Sequence, residues 1–242
     1  MQKKSRFALI IPCYNEELAI PSFKEEMINF VHLFNQKLPL LELLLIFVDN
    51  NSIDRSKVLL QDLASSLENG YATILNCEQQ GYGAALKLGF TAIESEWYGF
   101  ADLDNTYPLA NFIEMLNFAC AENLQMVFTN RLQQQSGMPL LRNFGNQLYS
   151  MLGRLLFSNS VPDMCSGMRV FNSSCLRDIL KISSNGLNFS IELTVVALKL
   201  NWRNRVINIH YRTRIGKSKL SVINDGFAFL FTLLKVRVKR LT

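Results

Sequence analysis

Short apolar runs alternate with segments of helical spacing through the first 130 residues, and that rhythm constrains the fold more than any other feature of the chain. Phe7–Cys13, Leu41–Val48, Tyr71–Leu75, Trp97–Ala101 and Met126–Thr129 read as strands. Leu18–Phe34, Ser56–Leu67, Gly83–Ile93 and Leu109–Cys120 read as the helices between them. Regular β-α alternation with short connections predicts an α/β fold, a mainly parallel sheet covered by helices on both faces. The second half is less regular. It carries a helix over Leu140–Phe157, a short strand at Met168–Phe171, a helix over Phe189–Leu200, a strand at Arg205–Tyr211 and a last helix over Val222–Val238. No repeat, low-complexity segment or linker interrupts it.

In sheets of this kind ligands bind beyond the carboxyl ends of the strands. Polar clusters follow the first, second and fourth strands there: Tyr14-Asn15-Glu16, Asp49 to Ser52 and Asp102 to Asn105. The last is the most informative. An aromatic strand stops at Asp102 and Asp104, which project to one side if the chain stays extended. Two such carboxylates repel unless a positive charge lies near, and hard oxygens in this arrangement suit Mg²⁺ or Mn²⁺. A solvated turn is the plain alternative.

Composition removes several classes. Over 242 residues the chain is 49% hydrophobic and 19% charged, as expected of a folded protein with a sizeable core. The start does not read as a secretory signal, and no stretch approaches the roughly 20 apolar residues of a membrane-spanning helix. Five scattered cysteines without a Cys-x-x-Cys pair indicate neither a zinc site nor a disulfide framework, and fit a reducing setting. Only His32 and His210 are present, which argues against Ser-His-Asp or Cys-His chemistry.

The net charge of +5 concentrates at the end, with Lys235, Arg237, Lys239 and Arg240 following the apolar block Phe227–Leu234. That pairing suits a helix lying on an anionic membrane surface, or else one docked on the protein's own core. The aromatics are not interleaved with the basic residues, which disfavours nucleic acid. Arg131, Arg142, Arg169, Arg214, Lys217 and Lys219 come from separate segments and are candidates for a shared anion pocket. Gly81-Tyr-Gly83 before a helix comes near a dinucleotide fingerprint, but Leu86 stands where a third glycine belongs.

Taken in order, these motifs resemble family 2 GT-A glycosyltransferases, in particular the branch that makes dolichol- or undecaprenyl-phosphate sugars. Ile10 to Glu16, Val48 to Asp54, Gly81 to Gly89, Asp102 to Pro108, Asp163 with Ser166 to Arg169, and Arg214 to Leu220 look like the family's successive motifs. Asn50 stands where that pattern has a second aspartate.

The resemblance implies a GT-A domain over residues 1–220 and an amphipathic basic helix over 221–242. It implies nucleotide contacts from Pro12, Tyr14, Glu16, Asp49, Asn51, Gly81, Asp102 and Leu103. Asp102 and Asp104 would hold Mg²⁺ or Mn²⁺ and, with Arg214, carry the chemistry. Arg131, Arg142, Arg169, Arg214, Ser218 and Lys219 would hold the acceptor phosphate. The implied reaction is inverting transfer of a sugar from a nucleoside diphosphate to a polyprenyl phosphate, by a cytoplasmic enzyme peripheral on the inner face of a membrane. Alternatives are a saccharide acceptor with Glu192 as base, a non-catalytic nucleotide-sugar sensor and an NAD-dependent oxidoreductase.

Overall fold

The computed structural model describes residues 4–67, 72–132, 150–151 and 161–216. The expected helices over 140–157 and 222–238 lie outside the described residues, apart from Ser150 and Met151, which are helical. One seven-stranded sheet organises the rest, in the order β3-β2-β1-β4-β6-β5-β7. β1 (Ser5–Cys13) pairs in parallel with β2 (Leu41–Asp49) over its whole length and with β4 (Trp97–Phe100) over part of it. β3 (Ala72–Asn76) extends the parallel half beside β2. β6 (Arg169–Asn172) runs antiparallel between β4 and β5 (Met126–Asn130), and β7 (Asn204–Asn208) closes the far edge parallel to β5. The sheet is therefore mainly parallel, with one inverted strand that period-two patterning cannot reveal, since alternation carries no direction.

β1 shows why the central strands read as unbroken apolar runs. Phe7, Leu9 and Ile11 face one core with α1 (Ile20–Lys37), α2 (Ser56–Ser66) and α4 (Asn111–Ala121). Ala8 and Ile10 face the other, against α3 (Tyr82–Thr91), the short α5 (Leu176–Leu180) and α6 (Phe189–Lys199). Both faces are covered, so both side-chain sets must be apolar. Each fully buried Phe of α1 or α4 contributes about 1.5–3 kcal/mol by this burial. α6 is buried along its first ten residues, Phe189 to Leu198, which is why its sequence lacks a polar stripe.

The strand ends locate a cleft. Pro12 lies in β1 although a proline cannot donate to a ladder. The ladder between β1 and β4 ends at Ile10 opposite Phe100, so the missing N–H falls where β4 has already departed. Beyond Asn208 the expected continuation of β7 to Tyr211 leaves the sheet. Arg212 N–H donates to Thr106 O at 3.0 Å and Ile215 N–H to Asp104 O at 3.2 Å. The 211–216 segment is thereby drawn across the turn that follows β4.

Candidate functional site

Three asparagines shape the rim. Asn15, Asn51 and Asn105 follow β1, β2 and β4 and adopt left-handed backbone with φ of 51°, 62° and 63°. Asparagine tolerates this conformation better than most residues, so each strand can turn sharply at its end. The first two turns are knitted together. Asn15 N–H donates to Ser52 Oγ at 3.1 Å, Ile53 N–H to Asn15 Oδ1 at 2.9 Å and Glu16 N–H to Ser56 Oγ at 2.8 Å. Asp49, almost wholly buried, accepts from Ser52 N–H at 3.3 Å.

The two acids after β4 sit differently from one another. Asp104 is 2% exposed; its Oδ1 accepts from Thr106 N–H at 3.1 Å and Thr106 Oγ1–H at 2.5 Å. Its Oδ2 lies 2.8 Å from Arg214 Nη1, while Arg214 Nη2 reaches Glu16 Oε1, also at 2.8 Å. Asp102 Oδ1 accepts from the Tyr82 hydroxyl at 2.9 Å. Leu103 between them buries its side chain in the core.

Arg214 touches Asp104 directly and also feels the charge of Asp102. Burial first, and then the charge of Asp104, push the Asp102 carboxyl up to about 7. Arg214 is pulled down by burial but held up overall by Asp104 and Glu16.

The residues here fit a divalent cation. Asp104 already receives one positive charge, the guanidinium, and the available donors are hard carboxylate oxygens. Among the described residues no group of three or more His, Cys, Asp or Glu converges on a point.

Several of the expected site residues already have partners within the protein. Arg131, 6% exposed, spends its guanidinium on Asp163, with Nε to Oδ2 at 2.6 Å and Nη2 to Oδ1 at 2.9 Å. It also stacks between Tyr107 and Tyr211. These contacts brace the wall of the cleft. Arg169 has no exposed surface: it lies over the Phe128 ring and donates to Ser166 O and Met164 O. Burial pulls it down to about 10, and its Nη1 is buried without a hydrogen-bond partner.

Gly81 is tightly packed. Its N–H donates to Asn50 Oδ1 at 2.7 Å, its φ is 142°, and a Cβ there would stand 2.2 Å from Asn185 O. Ala84 N–H is also taken, by Asn185 O, so the α3 N-terminus does not present that donor to a pyrophosphate and the dinucleotide reading loses its basis.

Glu192 is not placed to act as a base. Its carboxylate accepts from the backbone and hydroxyl groups of both Ser183 and Ser184. Arg142, Ser218 and Lys219 lie outside the described residues. Tyr82, Thr106 and Gly167 were not anticipated; a tyrosine bracketed by glycines at a helix start was the available signal for the first.

A mainly parallel α/β sheet with two buried carboxylates at its rim defines the class. Residues 8–180 match Glycosyl transferase family 2, and the chain belongs to that family. It is 29% identical over 169 residues to a dolichyl-phosphate hexose transferase of Haloferax volcanii, covering 68% of this chain and 72% of that one. It is 23% identical over 223 residues to an undecaprenyl-phosphate 4-deoxy-4-formamido-L-arabinose transferase of Yersinia enterocolitica, covering 92% of this chain but 64% of the relative. Glucosyl-3-phosphoglycerate synthase of Mycobacterium tuberculosis, solved with Mn²⁺, UDP-glucose and phosphoglyceric acid, shares the fold at a TM-score of 0.68 and 18% identity, covering 96% of this chain and 80% of that one.

Proposed function

We propose that the protein transfers a hexose from a nucleoside diphosphate to a polyprenyl phosphate, with inversion, using Mg²⁺ or Mn²⁺ held by Asp104 and Asp102. The observation that carries this reading is the Arg214 guanidinium set between Glu16 and Asp104 at the rim. Buried carboxylates with a cation between them, at the carboxyl edge of a parallel sheet, make a seat for a metal-bound diphosphate. The two curated relatives act, by their names, on dolichyl phosphate and undecaprenyl phosphate, which points the acceptor the same way.

When bound, the metal supplies charge neutralisation to the departing diphosphate, an effect of several kcal/mol. The chain's own residues do the rest. Asp49 and the Asn15–Ser52 turn frame the nucleotide end, with Tyr14 half-buried beside them. Arg214 leaves Asp104 as the donor loads and turns to the incoming acceptor phosphate, offsetting its repulsion from the diphosphate. One acceptor oxygen bonds to the sugar's anomeric carbon as the bond to the donor phosphate breaks, and the nucleoside diphosphate leaves. A phosphate monoester, with its second pKa of about 6, is already nucleophilic, so no general base is required. This agrees with a saturated Glu192 and with two histidines in the whole chain.

Among the described residues no helix is long and apolar enough to cross a membrane. The basic, apolar stretch over 221–242 would hold the catalytic domain of residues 1–220 at the lipid surface, the inner face of a membrane in the full proposal. The reading is tested by supplying UDP- and GDP-hexoses with Mn²⁺ to the purified chain and offering undecaprenyl phosphate, dolichyl phosphate or free sugars. Label should enter the lipid phosphate fraction; label in sugars alone would assign the acceptor to hydroxyl groups.

A further inference from the structure

We propose that Tyr82 is a positioning residue: its hydroxyl fixes the Asp102 carboxyl group in one pose without setting a positive charge against it. The inference rests on the reading of Asp102 and Asp104 as the acids that receive the metal-bound donor, and deepens it by naming what holds the first of them.

The carboxylate is gripped from two sides. Tyr82, the first residue of α3, donates its hydroxyl to Asp102 Oδ1 at 2.9 Å. On the other side lies Gly167, where a Cβ would stand 2.5 Å from Asp102 Oδ2 and 2.8 Å from both Cγ and Oδ1. No side chain fits there, and only glycine lets the backbone close against the acid. Gly167 is in turn fixed, because its N–H donates to the Tyr107 hydroxyl at 2.7 Å and Tyr107 packs edge-on against Tyr211. Asp102 is thus a side chain with little freedom to rotate, built from three segments: the α3 start, the turn after β4 and the loop before β6.

The identity of the donor matters. Asp104 has a guanidinium partner, which a metal must displace. A lysine or arginine at position 82 would hold Asp102 as firmly, but would neutralise it and compete with the metal in the same way. A phenol gives one hydrogen bond and no charge. Holding a ligand acid in its bound pose lowers the ordering cost when the donor arrives.

The test is a double-mutant cycle of Tyr82→Phe and Asp102→Asn, read by calorimetry of UDP or GDP binding in saturating Mn²⁺, with melting curves alongside. Tyr82→Phe should weaken metal-dependent nucleotide binding about tenfold, the size of one hydrogen bond to a charged group. Donor KM should rise and acceptor KM stay level, with a melting temperature near the wild type. In the Asp102→Asn background the same change should cost less than about twofold. Tyr82→Lys keeps a donor but adds charge, and should weaken metal-dependent binding more than Tyr82→Phe does. An affinity in Tyr82→Phe within twofold of wild type, an equal loss with and without Asp102, or a melting loss without an affinity loss would each overturn the proposal. Wild-type protein that binds neither nucleotide in Mn²⁺ would instead bring down the reading of the site itself, so the two failures are told apart.

Discussion

Asn50 makes three hydrogen bonds that only an amide can make together. Its NH₂ donates to Cys77 O at 3.2 Å and Gln79 O at 2.8 Å, and its oxygen accepts from Gly81 N–H. The residue therefore ties the ends of β2 and β3 to the start of α3. The aspartate that the family pattern has there would face two carbonyl oxygens with a charged oxygen. Asn50→Asp should lower stability by about 1–3 kcal/mol in urea denaturation, although it brings the sequence nearer the family pattern.

Asp102 gives a pH signature at the same scale. Its folded value of about 7 lies above the ordinary 3.8, so its contribution to stability is fully present below the ordinary value and is lost as pH rises through 7. Binding a metal-bound donor needs the ionised form and runs the opposite way. Metal-dependent nucleotide affinity should fall about tenfold per pH unit below 7, and Asp102→Asn should flatten that dependence. An unchanged slope in the variant would place the titrating group elsewhere.

At the scale of elements, the loop between α5 and α6 shows a carboxylate used as a fastener. Glu192 near the start of α6 gathers the donors of Ser183 and Ser184, and Lys87 of α3 donates to Ile182 O and Asn185 Oδ1. The loop is thereby pressed against the glycine-flanked start of α3, close to Tyr82. Glu192→Gln should destabilise the fold by about 1–3 kcal/mol while leaving kcat within about tenfold, because no proton passes through it. A loss of a thousandfold or more in kcat, with normal stability, would restore Glu192 as a base.

The elements themselves were legible from periodicity. Strand and helix positions before residue 130 fall within a few residues of those expected, because a sheet buried on both faces writes itself as apolar runs. What patterning could not show was pairing at long range. Arg131 and Asp163 are 32 positions apart and meet only because inverted β6 brings its preceding loop back beside the end of β5. The same inversion buries Arg169, which in sequence looks like any exposed phosphate ligand. The rim acids were legible because their role depends on where strands end, which local sequence does record.

For the whole molecule, the account joins three strand ends, one overlying segment and one cation seat. Segment 211–216 contributes Arg214 only because its backbone is hydrogen-bonded to Thr106 and Asp104. The protein holds its own cation over Asp104, the acid proposed to take the metal. Occupancy of that seat should therefore respond in opposite directions to removal of the acid and removal of the guanidinium.

The most direct test is calorimetric titration of UDP and GDP in the presence and absence of Mn²⁺, with Mn²⁺ alone as a further titrant, on wild type, Asp104→Ala and Arg214→Gln. The account predicts metal-dependent nucleotide binding in wild type and a loss of about a hundredfold or more in Asp104→Ala. It predicts tighter binding of Mn²⁺ alone in Arg214→Gln. Asp104→Ala protein that binds nucleotide in Mn²⁺ as wild type does would contradict it.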